Sequence, residues 1–219
     1  MSFTLDGPKR PATSGTADAL VLLLHGYGAD GNDLIGLADV MGEHLPSVEF
    51  RSPDAPQACT MNPMGRQWFP IPRMDGSSEA QMKAGFEASA ATLNAWLDQT
   101  AEETGIAPAR TVLVGFSQGT MMSLHAGLRR AQALAGIAGF SGRLLSPETL
   151  PAEIVTRPPV LLLHGDRDDV VPFSDMEDAR RGLAAAGVEV KTHVMPGTPH
   201  GISPDGLGAA LRFIKDALG

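Results

Sequence analysis

With 219 residues, 43% hydrophobic and 19% charged, the chain has the size and polarity of one globular domain over 1–219, and it is not the composition of a disordered chain. Its formal net charge of −8 excludes a nucleic-acid binder, which needs clustered Lys and Arg, and argues against stable insertion in or attachment to anionic membranes. The one cysteine, Cys59, permits no internal disulfide and is expected to be a small buried side chain; Met1 to Thr16 lack the apolar stretch of a secretory signal, so a cytoplasmic protein is expected.

Apolar runs alternate with segments of helical period, the pattern of a mostly parallel sheet with helices on both faces. The first strand is predicted at Ala19–Leu24 and the second at Val48–Ser52. Pro53 to Ser78 then breaks the rhythm, with five prolines, three methionines, Trp68 and Phe69. An irregular segment this long and this apolar is expected to be an ordered loop over a binding site. Phe86, Ala90, Leu93 and Leu97 fall on one helix face. Strands follow at Thr111–Gly115, Ala135–Phe140 and Pro159–His164. Phe173, Met176, Ala179 and Leu183 mark another helix, with Gly187 as its stop. A strand at Val188–Met195 leads to a last helix with Ser203 as N-cap, Pro204 in its first turn and Leu207, Leu211, Ile214 and Leu218 as its apolar stripe.

Gly115-Phe116-Ser117-Gln118-Gly119 matches G-x-S-x-G, a pattern short enough to recur by chance in a chain with 25 glycines. Its setting gives it meaning. A buried strand, Val112-Leu113-Val114, precedes it, and Met121, Met122, Leu124 and Leu128 suit a helix after it. Strand, sharp turn and helix make a nucleophile elbow, in which the flanking glycines leave room for a strained Ser117. Ser141, in Gly139-Phe140-Ser141-Gly142, also ends a strand, but the following segment reads as loop, so Ser141 is expected to be structural.

Leu24-His25-Gly26-Tyr27-Gly28 is a strand running into a His-Gly loop. In hydrolases of this build such a loop supplies one oxyanion N–H and the residue after the nucleophile the other, which nominates Tyr27 and Gln118. A serine hydroxyl also needs a base and an orienting acid. Of six histidines, His200 alone lies in a loop between the last strand and the last helix, so it is the expected base. His164-Gly165-Asp166-Arg167-Asp168-Asp169 follows a buried strand and offers three aspartates, among which spacing does not choose.

The segments Leu24–Gly28, Arg66-Gln67-Trp68-Phe69, Gly115–Gly119, His164–Asp168 and His200-Gly201 resemble the phospholipase/carboxylesterase family of α/β-hydrolases, which includes the acyl-protein thioesterases. The resemblance implies an α/β-hydrolase fold without a large lid domain. It implies Asp168 as the acid, Tyr27 and Gln118 as oxyanion donors, and an acyl pocket near Trp68 and Phe69. Met64 and Ile71, apolar residues of the same loop, join them as expected substrate-binding residues. The chain departs from the family where Tyr27 replaces a common leucine, Thr120 a common glycine and Asp169 a common proline.

The expected activity is a serine carboxylesterase hydrolysing short- to medium-chain acyl esters through an acyl-serine. The alternatives are a lysophospholipase or acyl-protein thioesterase, and a non-catalytic ligand-binding protein on the same fold. No cofactor and no metal are expected. The expected partner is a small-molecule ester, with the chain a monomer or homodimer.

Overall fold

The computed structural model describes residues 5–219. In chain order its elements are β1 (Lys9–Arg10), β2 (Ala19–Leu24), α1 (Gly31–Ile35), α2 (Leu37–Met41), β3 (Val48–Arg51), β4 (Gln57–Ala58), β5 (Arg66–Gln67), α3 (Pro72–Asp75) and α4 (Glu79–Thr104). There follow β6 (Thr111–Phe116), α5 (Gln118–Arg129), β7 (Gly136–Phe140), α6 (Leu150–Glu153), β8 (Val160–Gly165), α7 (Ser174–Ala185), β9 (Val190–Met195) and α8 (Pro204–Leu218).

Seven strands form one sheet in the order β1-β3-β2-β6-β7-β8-β9. All neighbours are parallel except β1 and β3. The continuous apolar runs become its central strands because both faces are covered, and a strand alternates its side chains between them. Leu20, Leu22 and Leu24 of β2, Leu113 of β6 and Leu162 of β8 face the side that α4, α5 and α7 cover. Ala19, Val21, Leu23, Val112, Val114, Leu161 and Leu163 face α1, α2 and α8. Each such leucine contributes roughly 1.5–3 kcal/mol by leaving water. The last strand, β9, is more polar (Lys191, Thr192, His193), as suits an edge open to solvent.

Each of the six predicted strands is present, with ends within two residues of the expected ones. Helix ends follow local chemistry. Ser78 and Gln81 form a reciprocal capping box at the start of α4, and Ser203 caps α8 by accepting from the Gly206 N–H. Gly187, at φ 79°, follows α7 as expected. The buried stripe of α8 is a correction: Ala209, Ala210, Phe213, Ile214 and Leu218 are buried, whereas Leu207 and Leu211 are only partly so. The small alanines let the helix approach the sheet and turn that face inward.

The topology decides where a site can form. Strand order reverses between β2 and β6, and loops leaving the carboxyl ends of two such strands diverge and open a crevice. Leu24 pairs with Gly115 in register, so the His25–Gly28 loop and Ser117 emerge side by side. Two strands further on, β8 and β9 pair through Gly165 and Met195 and send the Asp166–Asp169 and Pro196–His200 loops out of the same edge.

Candidate active site

Ser117 has φ 54° and ψ −115°, a conformation costing about 1–3 kcal/mol that only over-determined surroundings maintain. Its N–H donates to Phe140 O at 2.9 Å. A β-carbon on Gly119 would lie 1.8 Å from Leu24 O, and one on Gly115 would lie 2.4 Å from the Thr120 N. The turn therefore closes only with glycine at both positions. Among the described residues no hydrogen bond occupies the Ser117 hydroxyl, and the residue is nearly buried, at 8% exposed. Thr120, a departure from the family pattern, sits against Gly139 and Gly142, where a β-carbon would meet it at 2.5 and 2.4 Å, and donates its hydroxyl to Phe140 O. The two glycines make the space that the threonine fills.

The Gln118 side chain clamps the loop predicted to cover the site. Its Oε1 accepts from Trp68 N at 3.1 Å and its Nε2 donates to Phe69 O at 2.8 Å. The Tyr27 loop is braced by the β4–β5 hairpin, with Gly28 N donating to Arg66 O and Arg66 N to Ala29 O. The Tyr27 hydroxyl donates to Asp75 Oδ2 at 3.2 Å, an oxygen that also accepts from Ile71 N. Burial, with the Cys59 thiol and the Asp75 carboxylate, pushes the phenol up, so it stays a neutral donor. Replacing the common leucine thus adds a tether between two loops. Tyr27 N and Gln118 N carry no hydrogen bond among the described residues, which leaves both free to donate to a ligand.

His200 packs its ring on Phe116, centroids 4.8 Å apart, which brings the imidazole to the residue before Ser117. Its Nδ1 lies 2.8 Å from Asp168 Oδ2. The three aspartates separate by contact. Asp168, whose side chain is fully buried, also accepts from Val170 N and Val171 N on Oδ1. Burial pushes its carboxyl up, but the hydrogen bonds from His200, Val171 and Val170 outweigh this and hold it below the usual carboxylate range. Asp166 Oδ1 instead accepts from Gly197 N and ties down the loop carrying His200. Asp169 is exposed and makes no hydrogen bond among the described residues.

The other histidines are committed elsewhere. His25 accepts from Ala55 N on Nε2, so its Nδ1 carries the proton donated to Gly26 O, and burial lowers its pKa. His193 bonds Asp205 at the head of α8, and His44 is exposed. Ser141, at φ 47°, is wholly buried, in line with a structural role.

The expected substrate-binding residues divide. Trp68 is fully buried and donates its indole N–H to His25 O, because a buried indole needs a partner; it lies in the core and not in a pocket wall. Met64 stands 88% exposed at the hairpin turn, and Ile71 is partly buried beside Asp75. Only Phe69 of the four lines the large cavity, of about 650 Å³. Met82 and Phe86 of α4 and Leu145 join it as apolar lining, beside His125 of α5, the charged Glu79, Lys83 and Glu87 of α4, and the Arg129–Glu153 ion pair. Sequence reasoning missed this cavity, because it arises where α4 and the segment before α6 meet across α5. The helical spacing of Phe86, Ala90, Leu93 and Leu97 reads as a packed face, not as a cavity wall. Sequence reasoning also missed the Gln118 clamp.

Burial, then the neighbouring Arg129 charge, pushes His125 down to about 4. The unfolded chain then takes up a proton near pH 6.5 that the folded chain refuses, so the folded state is fully favoured above pH 6.5 and loses ground as pH falls toward 4. Because the ring is partly exposed, the loss is discounted to about 1–2 kcal/mol. Thermal unfolding of wild type and His125→Gln between pH 7 and 4.5 checks this: the wild type is expected to lose more, and parallel curves refute it.

A family model described as phospholipase/carboxylesterase matches residues 11–218. The crystal structure of esterase PE8 superposes with a TM-score of 0.93 at 44% identity, covering 99% of this chain and 100% of that one. Acyl-protein thioesterase 1 of Gibberella zeae is 30% identical over 214 residues, 91% of each chain. Esterase YpfH of Escherichia coli is 26% identical over 213 residues, 97% of this chain and 87% of its own. Among the described residues no helix is long and apolar enough to cross a membrane. Matched along nearly its whole length by family, sequence and structure, the chain belongs to the phospholipase/carboxylesterase family, hydrolases of carboxylic esters on the α/β-hydrolase fold.

Proposed function

We propose that the chain hydrolyses acyl esters through an acyl-Ser117 intermediate, with His200 as general base and Asp168 as its orienting acid. The observation that carries this is the strained, unbonded Ser117 next in the chain to Phe116, on whose ring packs an imidazole with its Nδ1 held on a buried carboxylate. His200 keeps its Nδ1 proton on Asp168 and takes the Ser117 proton on Nε2 as Oγ attacks the ester carbonyl. The carbonyl oxygen becomes an oxyanion, for which Tyr27 N–H and Gln118 N–H are the donors. Collapse of the tetrahedral species expels the alcohol, which receives the proton from Nε2. Water, deprotonated by His200, then attacks the acyl carbon; the acyl–Oγ bond breaks, Oγ takes the proton back from Nε2, and the acid leaves.

The cavity beside Phe69 is the proposed site for the apolar part of the substrate. Its apolar lining suits a chain, and the Gln118–Phe69 bond joins it to the residue next to the nucleophile. A thioester of an acylated protein is the second reading, favoured by the similarity to a protein named acyl-protein thioesterase. Turnover of p-nitrophenyl esters from acetate to palmitate tests both the chemistry and the pocket. Short to medium chains are expected to be turned over best. Leu145→Trp, which narrows the cavity, is expected to cut the longer esters about tenfold while sparing acetate. Equal effects on all lengths place the chain elsewhere. A thioester series run beside the oxygen esters ranks the two readings.

A further inference from the structure

Both proposed oxyanion donors are backbone N–H groups, and the side chains of both grip the same segment. Gln118 holds Trp68 N and Phe69 O. Tyr27 holds the next part of the chain: its hydroxyl donates to Asp75 Oδ2 at 3.2 Å, and that oxygen also accepts from Ile71 N at 2.9 Å. Asp75 Oδ1 accepts from Ser77 N at 3.0 Å, so the carboxylate is held from both ends of α3. Burial pushes the Asp75 carboxyl up, but the donors from Ser77, Ile71 and Tyr27 outweigh this and hold it below the usual carboxylate range. The phenol therefore meets an anion, and the bond is charge-assisted.

Tyr27 stands between Gly26 and Gly28, the latter at φ 79°. Glycine on both sides lets the backbone swivel unless other bonds stop it. The peptide that carries the Tyr27 N–H is held at its carbonyl end, where Gly26 O accepts from His25 Nδ1 at 2.7 Å. Past Tyr27, Gly28 N donates to Arg66 O, and Gly28 O accepts from Asn62 Nδ2. Among the described residues Tyr27 itself has one hydrogen bond, the one from its hydroxyl. We infer that the Tyr27 side chain is a positioning group for the oxyanion hole: anchored on Asp75, it fixes the direction of its own backbone N–H. This role rests on the acyl-serine reading above. A donor helps an oxyanion most when it is already aimed as the charge appears. The leucine common in the family at this position can pack but cannot anchor.

The test measures kcat, KM and the inhibition constant of a trifluoromethyl ketone for full-length wild type, Tyr27→Phe, Asp75→Ala and the double variant, with p-nitrophenyl acetate as substrate. The ketone adds to a serine hydroxyl and places an oxyanion in the hole, so its affinity reads the transition state and not the resting substrate. Tyr27→Phe keeps the ring and removes only the anchor. It is expected to lower kcat about tenfold, less than the roughly 10²–10³-fold that loss of a whole donor costs, because the N–H remains but is no longer held. KM is expected to stay within about twofold of wild type, and the inhibition constant to rise by the factor by which kcat/KM falls. In the Asp75→Ala background the same phenylalanine is expected to cost less than about twofold, since the bond is already gone. An unchanged kcat in Tyr27→Phe, a change in KM alone, an inhibition constant that does not follow kcat/KM, or an undiminished cost in the Asp75→Ala background each overturns the inference. Should Asp75→Ala fail to fold, Tyr27→Phe and the ketone decide by themselves. Activity in Ser117→Ala overturns the acyl-serine reading and this role with it; an inactive Ser117→Ala beside an unaffected Tyr27→Phe overturns this role alone.

Discussion

Ser117→Ala is expected to lower kcat on an activated ester by about 10⁵–10⁶-fold, while leaving the fold intact. The size follows from what is removed. Without Oγ no acyl-enzyme can form, and His200 and the two free N–H groups are left to act on water alone. The fold is expected to survive because the strain at φ 54° is imposed by Gly115, Gly119 and the Ser117 N–H to Phe140 O bond, none of which uses the hydroxyl. Thermal unfolding within a few degrees of wild type is the control. Ser141→Ala supplies the contrast: it also changes a positive-φ serine at a strand end, yet its hydroxyl is sealed in the interior, and catalysis is expected to stay near wild type. Fluorophosphonate labelling of wild type, lost in Ser117→Ala and kept in Ser141→Ala, reads the same distinction directly. Near-wild-type turnover by Ser117→Ala would overturn the mechanism.

The aspartates give the second large effect. Asp168→Asn is expected to cost about 10⁴-fold in kcat, and Asp169→Asn less than about twofold. The geometry says why a neutral isostere fails so badly. Val170 N–H and Val171 N–H both point at Oδ1, so the asparagine must put its carbonyl oxygen there. Its NH₂ then occupies the Oδ2 position, where the Nδ1–H of His200 seeks an acceptor. The imidazole either turns away or takes the other tautomer, with its proton on the nitrogen that should receive one from Ser117. Asp169 is exposed and holds nothing. Asp166→Asn is expected to fall between them, because the Asp166 to Gly197 bond positions the His200 loop without touching the ring. Measured kcat/KM for the three variants orders them; a larger loss at Asp169 than at Asp168 shifts the acid by one residue.

Much of the fold was legible because the signals were strong and local. Uninterrupted short runs such as Leu20–Leu24 and Val160–Leu163, bounded by turn residues, suit strands buried on both faces, and Gly115, Gly119, Ser203 and Gly187 punctuate the chain by local backbone chemistry. The two-residue strands β1, β4 and β5 carried no such signal, since pairing over so short a span is decided by the partner. The stripe of α8 was misjudged because periodicity shows which residues share a face but not how closely that face approaches the sheet; Ala209 and Ala210 set that distance.

For the site the division is similar. The sequence by itself determined the elbow at Ser117, the His-Gly loop and His200 as the histidine in a free loop, because each is a local pattern with a steric or chemical reason. Spacing left Asp166, Asp168 and Asp169 equivalent, with only the family resemblance pointing to Asp168, and Trp68 was read as a pocket residue. Only the tertiary structure shows which aspartate meets His200 and where Trp68 lies. The choice of acid depends on which carboxylate meets an imidazole 32 residues away, and the fate of Trp68 on whether a buried indole N–H finds His25 O across the sheet edge. Such contacts are set by the register of β2 against β6 and of β8 against β9. Register is a property of paired strands and not of either segment alone.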